Sequence, residues 1–147
     1  MAYHASRYKA TGANAVDATG KLDTVEFMNV AKDDALAWPN TARRGYPRTV
    51  NDRMESTIIP FVRKSLAVNN TILEVFNERL GLPSGELLQS HKLDEFSGSE
   101  ARVIKNPPTD DCNKIAIGSH TDFGTLVSSG TMDKIYSIQP RSAVLLA

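Results

Sequence analysis

The chain has 147 residues, 17 Lys and Arg against 17 Asp and Glu, and 41% hydrophobic residues. That length fits one domain, and a net charge of zero supplies no field to gather a nucleic-acid backbone or an anionic membrane, so neither is expected as a partner. Cys112 is the single cysteine, which rules out an internal disulfide; with no secretory leader and no apolar run of membrane-spanning length, the expected location is cytoplasmic.

Residues 1–24 carry few large apolar side chains and read as a mobile N-terminal arm ahead of one domain over 25–147. Val25, Phe27 and Val30 are the first apolar residues, and with Glu26 between two of them this short alternating piece predicts a strand. From Asp33 to Pro47, the pairs Trp38-Pro39 and Tyr46-Pro47 hold each aromatic extended, which predicts an irregular connection packed through its aromatics.

The helical part covers 49–90. Met54, Ile58, Phe61, Val62, Leu66, Ile72, Leu73, Phe76 and Leu80 recur at three- and four-residue steps, predicting a long amphipathic helix from Thr49 to Leu80 whose apolar stripe is core. Thr49 with Asp52 three residues on reads as its start, and Gly81, Leu82 and Pro83 as its stop. Pro60 removes a backbone donor inside this pattern and predicts a kink, or two helices meeting near Ile59. Ser84 reads as the cap of a shorter helix ending near Ser90.

The β-rich part covers 99–147. Ala101–Ile104, Lys114–Ile117, Thr125–Val127 and Ala143–Leu146 read as short strands, with Asn106-Pro107-Pro108-Thr109-Asp110-Asp111 as the reversal between the first two. Helices followed by strands define an α+β chain.

The most informative string is Ile117-Gly118-Ser119-His120-Thr121-Asp122-Phe123-Gly124-Thr125-Leu126. On an extended chain His120 and Asp122 project to the same side and can meet one metal ion. One imidazole and one carboxylate suit a divalent first-row metal with open positions, as in the facial triad of non-haem iron enzymes. The competing reading of the triplet is a polar strand end whose Asp122 caps the Phe-Gly turn. Other candidates point to structure: Cys112 adjoins Asp110 and Asp111, whose charges oppose a thiolate. Asn69-Asn70-Thr71 matches the glycosylation triplet but lies inside the helical pattern. Trp38, Tyr46, Arg43 and Arg44 suit either a pocket edge or simple packing.

The strings AIGSHTDFGTL, EARVIKNPP and NERLGLP together resemble the isopenicillin N synthase-like family of iron(II)- and 2-oxoglutarate-dependent dioxygenases, most of all its fungal members, over most of Arg7 to Leu126. The resemblance implies a long helix packed on a partial double-stranded β-helix, or jelly roll. It implies His120 and Asp122 as ligands of Fe(2+), 2-oxoglutarate as co-substrate, and oxidation of a small organic molecule in fungal secondary metabolite biosynthesis.

Two parts of the family pattern are missing. No histidine occurs among the 25 residues after Asp122, where the family has its third ligand, and the remaining histidines are His4 and His91. Arg141-Ser142 lacks the middle residue of the R-x-S motif that binds the co-substrate carboxylate, and Asn106 stands where a tyrosine is frequent. The family's N-terminal segment, which covers the barrel, is not matched either, so the sequence is expected to be truncated at both ends relative to the family. The alternative expectation is a catalytically inactive homologue that pairs with a full-length relative, or with another copy of itself, through exposed sheet edges.

Overall fold

The computed structural model describes residues 8–108, 115–118, 126–131 and 142–146. The chain is α+β, built on an antiparallel sheet. Its centre is β2 (Glu26–Ala31) against β3 (Glu100–Lys105), with Met28 opposite Val103 and Val30 opposite Ala101. β1 (Tyr8–Lys9) flanks β2, β5 (Ser142–Leu146) flanks β3, and β4 (Val127–Thr131) lies outside β5. The expected strands at Val25–Val30, Ala101–Ile104 and Ala143–Leu146 thus form, bounded within a residue or two.

The helical half falls into pieces. α1 (Lys32–Ala37) continues directly from β2, in a stretch expected to be irregular, and ends at the cis Trp38-Pro39 peptide. α2 (Arg48–Asn51) and one turn of π-helix at Met54–Ile58 lead into α3 (Ile59–Arg79). Pro60 lies in the first turn of α3, and the chain changes from π to α geometry at Ile59, where the sequence predicts two helices to meet. Thr49 does not cap the start: Pro47 holds that position and no side chain bonds to it.

α3 stops where its sequence signals. Gly81 takes the left-handed conformation (φ 66°), its N–H donates to Glu78 O at 3.0 Å, and Leu82 N–H donates to Asn77 O at 3.0 Å, which is a Schellman closure. Asn77 then holds the next loop, its amide donating to Leu82 O and Pro83 O (3.1 and 2.7 Å) while its oxygen accepts from Leu87 N (3.1 Å). The short α4 (Glu86–Gln89) is preceded by Gly85 in the left-handed region, not capped by Ser84.

Val30, Ala35, Met54, Val62 and Ala101 form the buried core, joined by Met28, Trp38, Ile58, Phe61 and Leu66. α3 therefore packs on the sheet face that carries Met28, Val30 and Ala101. With 21 residues it is about 32 Å long, whereas a six-residue strand spans about 20 Å. Toward its C-terminal end Phe76 and Leu80 stay 46% and 68% exposed. The expected core stripe thus ends at Leu73.

The expected strand at Lys114–Ile117 is replaced by bends over the described residues 115–118, and Ala116 O accepts from Thr24 N (3.1 Å), not from β3. Residues 8–24, expected as an arm, hold β1, a bridge between Ala15 and Leu22, and a buried Val16. Among the described residues no helix is long and apolar enough to cross a membrane.

Candidate functional site

His120 and Asp122 lie outside the described residues, as do His4, Cys112 and Arg141. The structure does place the chain that leads into them. A Cβ on Gly118 would sit 2.8 Å from Val16 O and 3.3 Å from its Cα, so this backbone approach admits only glycine. Two residues earlier, Ala116 O takes the Thr24 amide, and the Thr24 hydroxyl donates to Asn106 Oδ1 (3.2 Å) just before the proline pair. Residues 14–24 thus tie together the end of β3 and the entry to the His120 segment.

That turn is locked by a buried ion pair. Lys9 Nζ lies 2.6 Å from Asp23 Oδ2 and donates to Val25 O (2.8 Å), while Gly12 N–H donates to Asp23 Oδ1 (3.0 Å). Burial pushes the Asp23 carboxyl up, but the bonds from Lys9 and Gly12, with the Lys9 charge, outweigh it and hold the group below the ordinary carboxylate range.

The sheet face turned away from α3 carries Phe27, Asn29, Arg102 and Ile104, paired across β2 and β3. Arg102 Nε donates to the buried Asn29 Oδ1 (2.8 Å), and its guanidinium lies 4.2 Å from the Phe27 ring centroid. The face therefore holds a positive charge fixed by an amide and a ring.

The other polar concentration is at the junction of β2 and α1. Asp34 Oδ1 accepts from the N–H groups of Ala42, Arg43 and Arg44 (3.0, 2.6 and 3.2 Å), and its Oδ2 accepts from the Tyr46 hydroxyl (2.8 Å). The same hydroxyl accepts from Ala31 N (2.9 Å) and Arg44 Nε (3.0 Å), and Arg44 also pairs with Glu100. Burial pushes the Tyr46 phenol above its usual range. Asp33 takes Arg43 Nε (2.5 Å) and Ser97 N (3.2 Å). Of the two readings of Tyr46, Arg43 and Arg44, the structure shows packing: they fold the 38–46 connection onto α1.

The fully buried Lys32 belongs to this network, donating to Leu93 O (3.1 Å) and Glu95 O (2.6 Å) and lying 3.2 Å from Asp33 Oδ1. Its charge is committed to Asp33 and to holding residues 93–95. A cleft of about 80 Å³ opens beside it, lined in part by Asn69, Leu73, His91, Glu95 and Phe96. Among the described residues no three His, Cys, Asp or Glu side chains are grouped to hold a metal.

The donor types of His120 and Asp122, an imidazole and a carboxylate, would suit a divalent first-row ion. Composition hid the roles of Val16, Asp23 and Asn29, because their partners lie far off in sequence. A glycine two residues before the H-x-D triplet was the one local sign of the close contact at Gly118. No known protein family, curated protein or solved structure matches the chain.

Proposed function

We propose that this chain is a non-haem iron(II), 2-oxoglutarate-dependent oxidoreductase domain acting on a small organic molecule, of the kind used in fungal secondary metabolism, with His120 and Asp122 holding the ion and a cytoplasmic location. The observation that carries the reading is the string from Ile117 to Leu126, with its imidazole and carboxylate two residues apart. The antiparallel sheet supports it: β3, which opens the stretch of the resemblance ending in the proline pair, pairs with strands distant in sequence on both sides, as expected of one wall of a jelly roll. The bound ion would supply the redox chemistry with dioxygen and the 2-oxoacid. The protein's part is to hold the two donors in register, and the Gly118–Val16 contact and the Asp23 lock fix the chain that delivers them.

Anaerobic titration of the whole chain with iron(II), alongside His120→Ala and Asp122→Ala, tests this. One ion bound per chain, weakened at least tenfold in both variants and accompanied by 2-oxoglutarate decarboxylation, supports the proposal; a wild-type chain that binds no iron(II) overturns it. The absence of a histidine after Asp122 favours a second reading, an inactive homologue that pairs through a sheet edge such as β4. Iron binding without turnover, together with capture of an active relative, would favour that reading.

A further inference from the structure

The face of α3 turned away from the core is not an ordinary solvated face. At 100° per residue, Lys64, Ala67, Val68, Thr71, Val75 and Glu78 fall within about a third of the helix circumference. Val68 and Val75 are 52% and 50% exposed, and the other four are exposed as well. Val68 and Val75 lie beside the smaller Ala67 and Thr71, so a partner helix can approach closely along the small-residue side of the patch.

The charges around this patch are ordered along the axis. Arg63 and Lys64 lie at the N-terminal side, Glu74 and Glu78 at the C-terminal side, and none of the four pairs with a described residue. The acidic end opens onto a groove of about 280 Å³ lined in part by Glu74, Glu78, Leu82 and Leu88.

We propose that this face docks on the same face of a second copy of the chain, antiparallel, about a twofold axis passing at Thr71. In that arrangement Lys64 of each copy meets Glu78 of the other, Ala67 meets Val75, and Val68 lies on the methylenes of Glu74. The basic end of each helix enters the acidic groove of the other. A parallel pairing sets like charges together, and a slide along the axis separates both the valines and the ion pairs. The occupant is a second copy because a single face carries both complementary halves, the condition for an isologous contact. A contact made by one helix face is weak, and its exposed ion pairs make it sensitive to salt. This inference does not depend on the proposed chemistry.

Sedimentation velocity of the full chain, from micromolar to near-millimolar concentration and at low and high salt, tests it with two charge reversals. Lys64→Glu alone sets carboxylate against carboxylate at both contacts, and Glu78→Lys alone sets ammonium against ammonium. Mixing the two variants restores opposite charges at both. The expected result is a wild-type dimer that loosens in high salt, two single variants that stay monomeric where the wild type associates, and an equimolar mixture that dimerises. Both positions are exposed and both replacements are good helix formers, so circular dichroism should be unchanged. A wild type that stays monomeric throughout, single variants that associate like the wild type, or a mixture that stays monomeric overturns the proposal.

Discussion

Removing one atom from Tyr46 should destabilise the domain far more than its half-buried position suggests. The phenol oxygen accepts from Ala31 N and Arg44 Nε (2.9 and 3.0 Å) and donates to Asp34 Oδ2 (2.8 Å). Tyr46→Phe keeps the ring against the core and leaves these three groups each one partner short. Bonds involving a charged group contribute about 1.5–3 kcal/mol each, and the neutral bond to Ala31 about 1 kcal/mol. Water reaching the half-buried site restores part of this, so the expected net cost is about 2–4 kcal/mol, a large fraction of the roughly 5–15 kcal/mol that holds a domain folded.

Trp38 is the single tryptophan and packs on the core, so urea unfolding followed by its fluorescence reads this cost directly. The midpoint should fall with an unchanged slope. Because Tyr46 and Asp34 share a bond, Tyr46→Phe and Asp34→Asn should also fail to add, with a coupling of about 1 kcal/mol or more. A cost below about 0.5 kcal/mol, or full additivity, would refute the view that this hydroxyl organises the junction.

Gly81→Ala should cost about 1 kcal/mol in thermal unfolding through left-handed strain alone, since nothing lies within 4 Å of the added methyl, whereas Gly45→Ala, equally open and without positive φ, should be near neutral. Equal effects at both sites would contradict the closure described for α3. Gly118→Ala must push its methyl against Val16 O and should cost about 1–3 kcal/mol, with faster hydrogen exchange of the Thr24 amide as its local signature. Unchanged exchange at Thr24 would show that the contact does not hold this segment. Because the folded-state pKa of Asp23 is depressed, its contribution to stability is present above the unfolded value near 3.9 and is lost as pH falls through the lower folded value. Urea midpoints taken from about pH 6 down to about pH 3 should therefore fall more steeply for the wild type than for Asp23→Asn; parallel curves would exclude the lock.

What the sequence made legible is what depends on local order. The three- and four-residue steps of Val62, Leu66 and Leu73 and the freedom of Gly81 located the body and the C-terminal end of α3, and Pro60 marked one of two possible breaks near Ile59 in a helix expected to start at Thr49. The alternation of Val25 and Phe27 around Glu26 located β2. α1 escaped notice because Lys32, Asp33 and Asp34 are consecutive charged residues that are nevertheless buried, each matched by partners between residues 42 and 97 that no local window contains. The apolar run at Ile115–Ile117 looked like a strand because apolar runs promise burial, but its hydrogen-bond partner is Thr24 in a turn. Phe76 and Leu80 fit the helical period yet stay exposed, while the buried position of that stretch is taken by the polar Asn77, whose amide is bound to the following loop. The site itself was read from the spacing of His120 and Asp122, residues outside those described.

The strand pairing also imposes an order on how the chain is made. Val30 lies opposite Ala101, 71 positions later, and β3 in turn faces β5, with Ala143 opposite Val103 and 40 positions further on. Closing the first of these loops costs roughly 4 kcal/mol of chain entropy beyond the constant term, before any strand bond is gained. As the polypeptide leaves the ribosome, β2 must wait with its open edge exposed while α3 forms from local contacts alone. Expression yield should therefore respond more to substitutions that keep the waiting strand soluble than to those that strengthen the finished core.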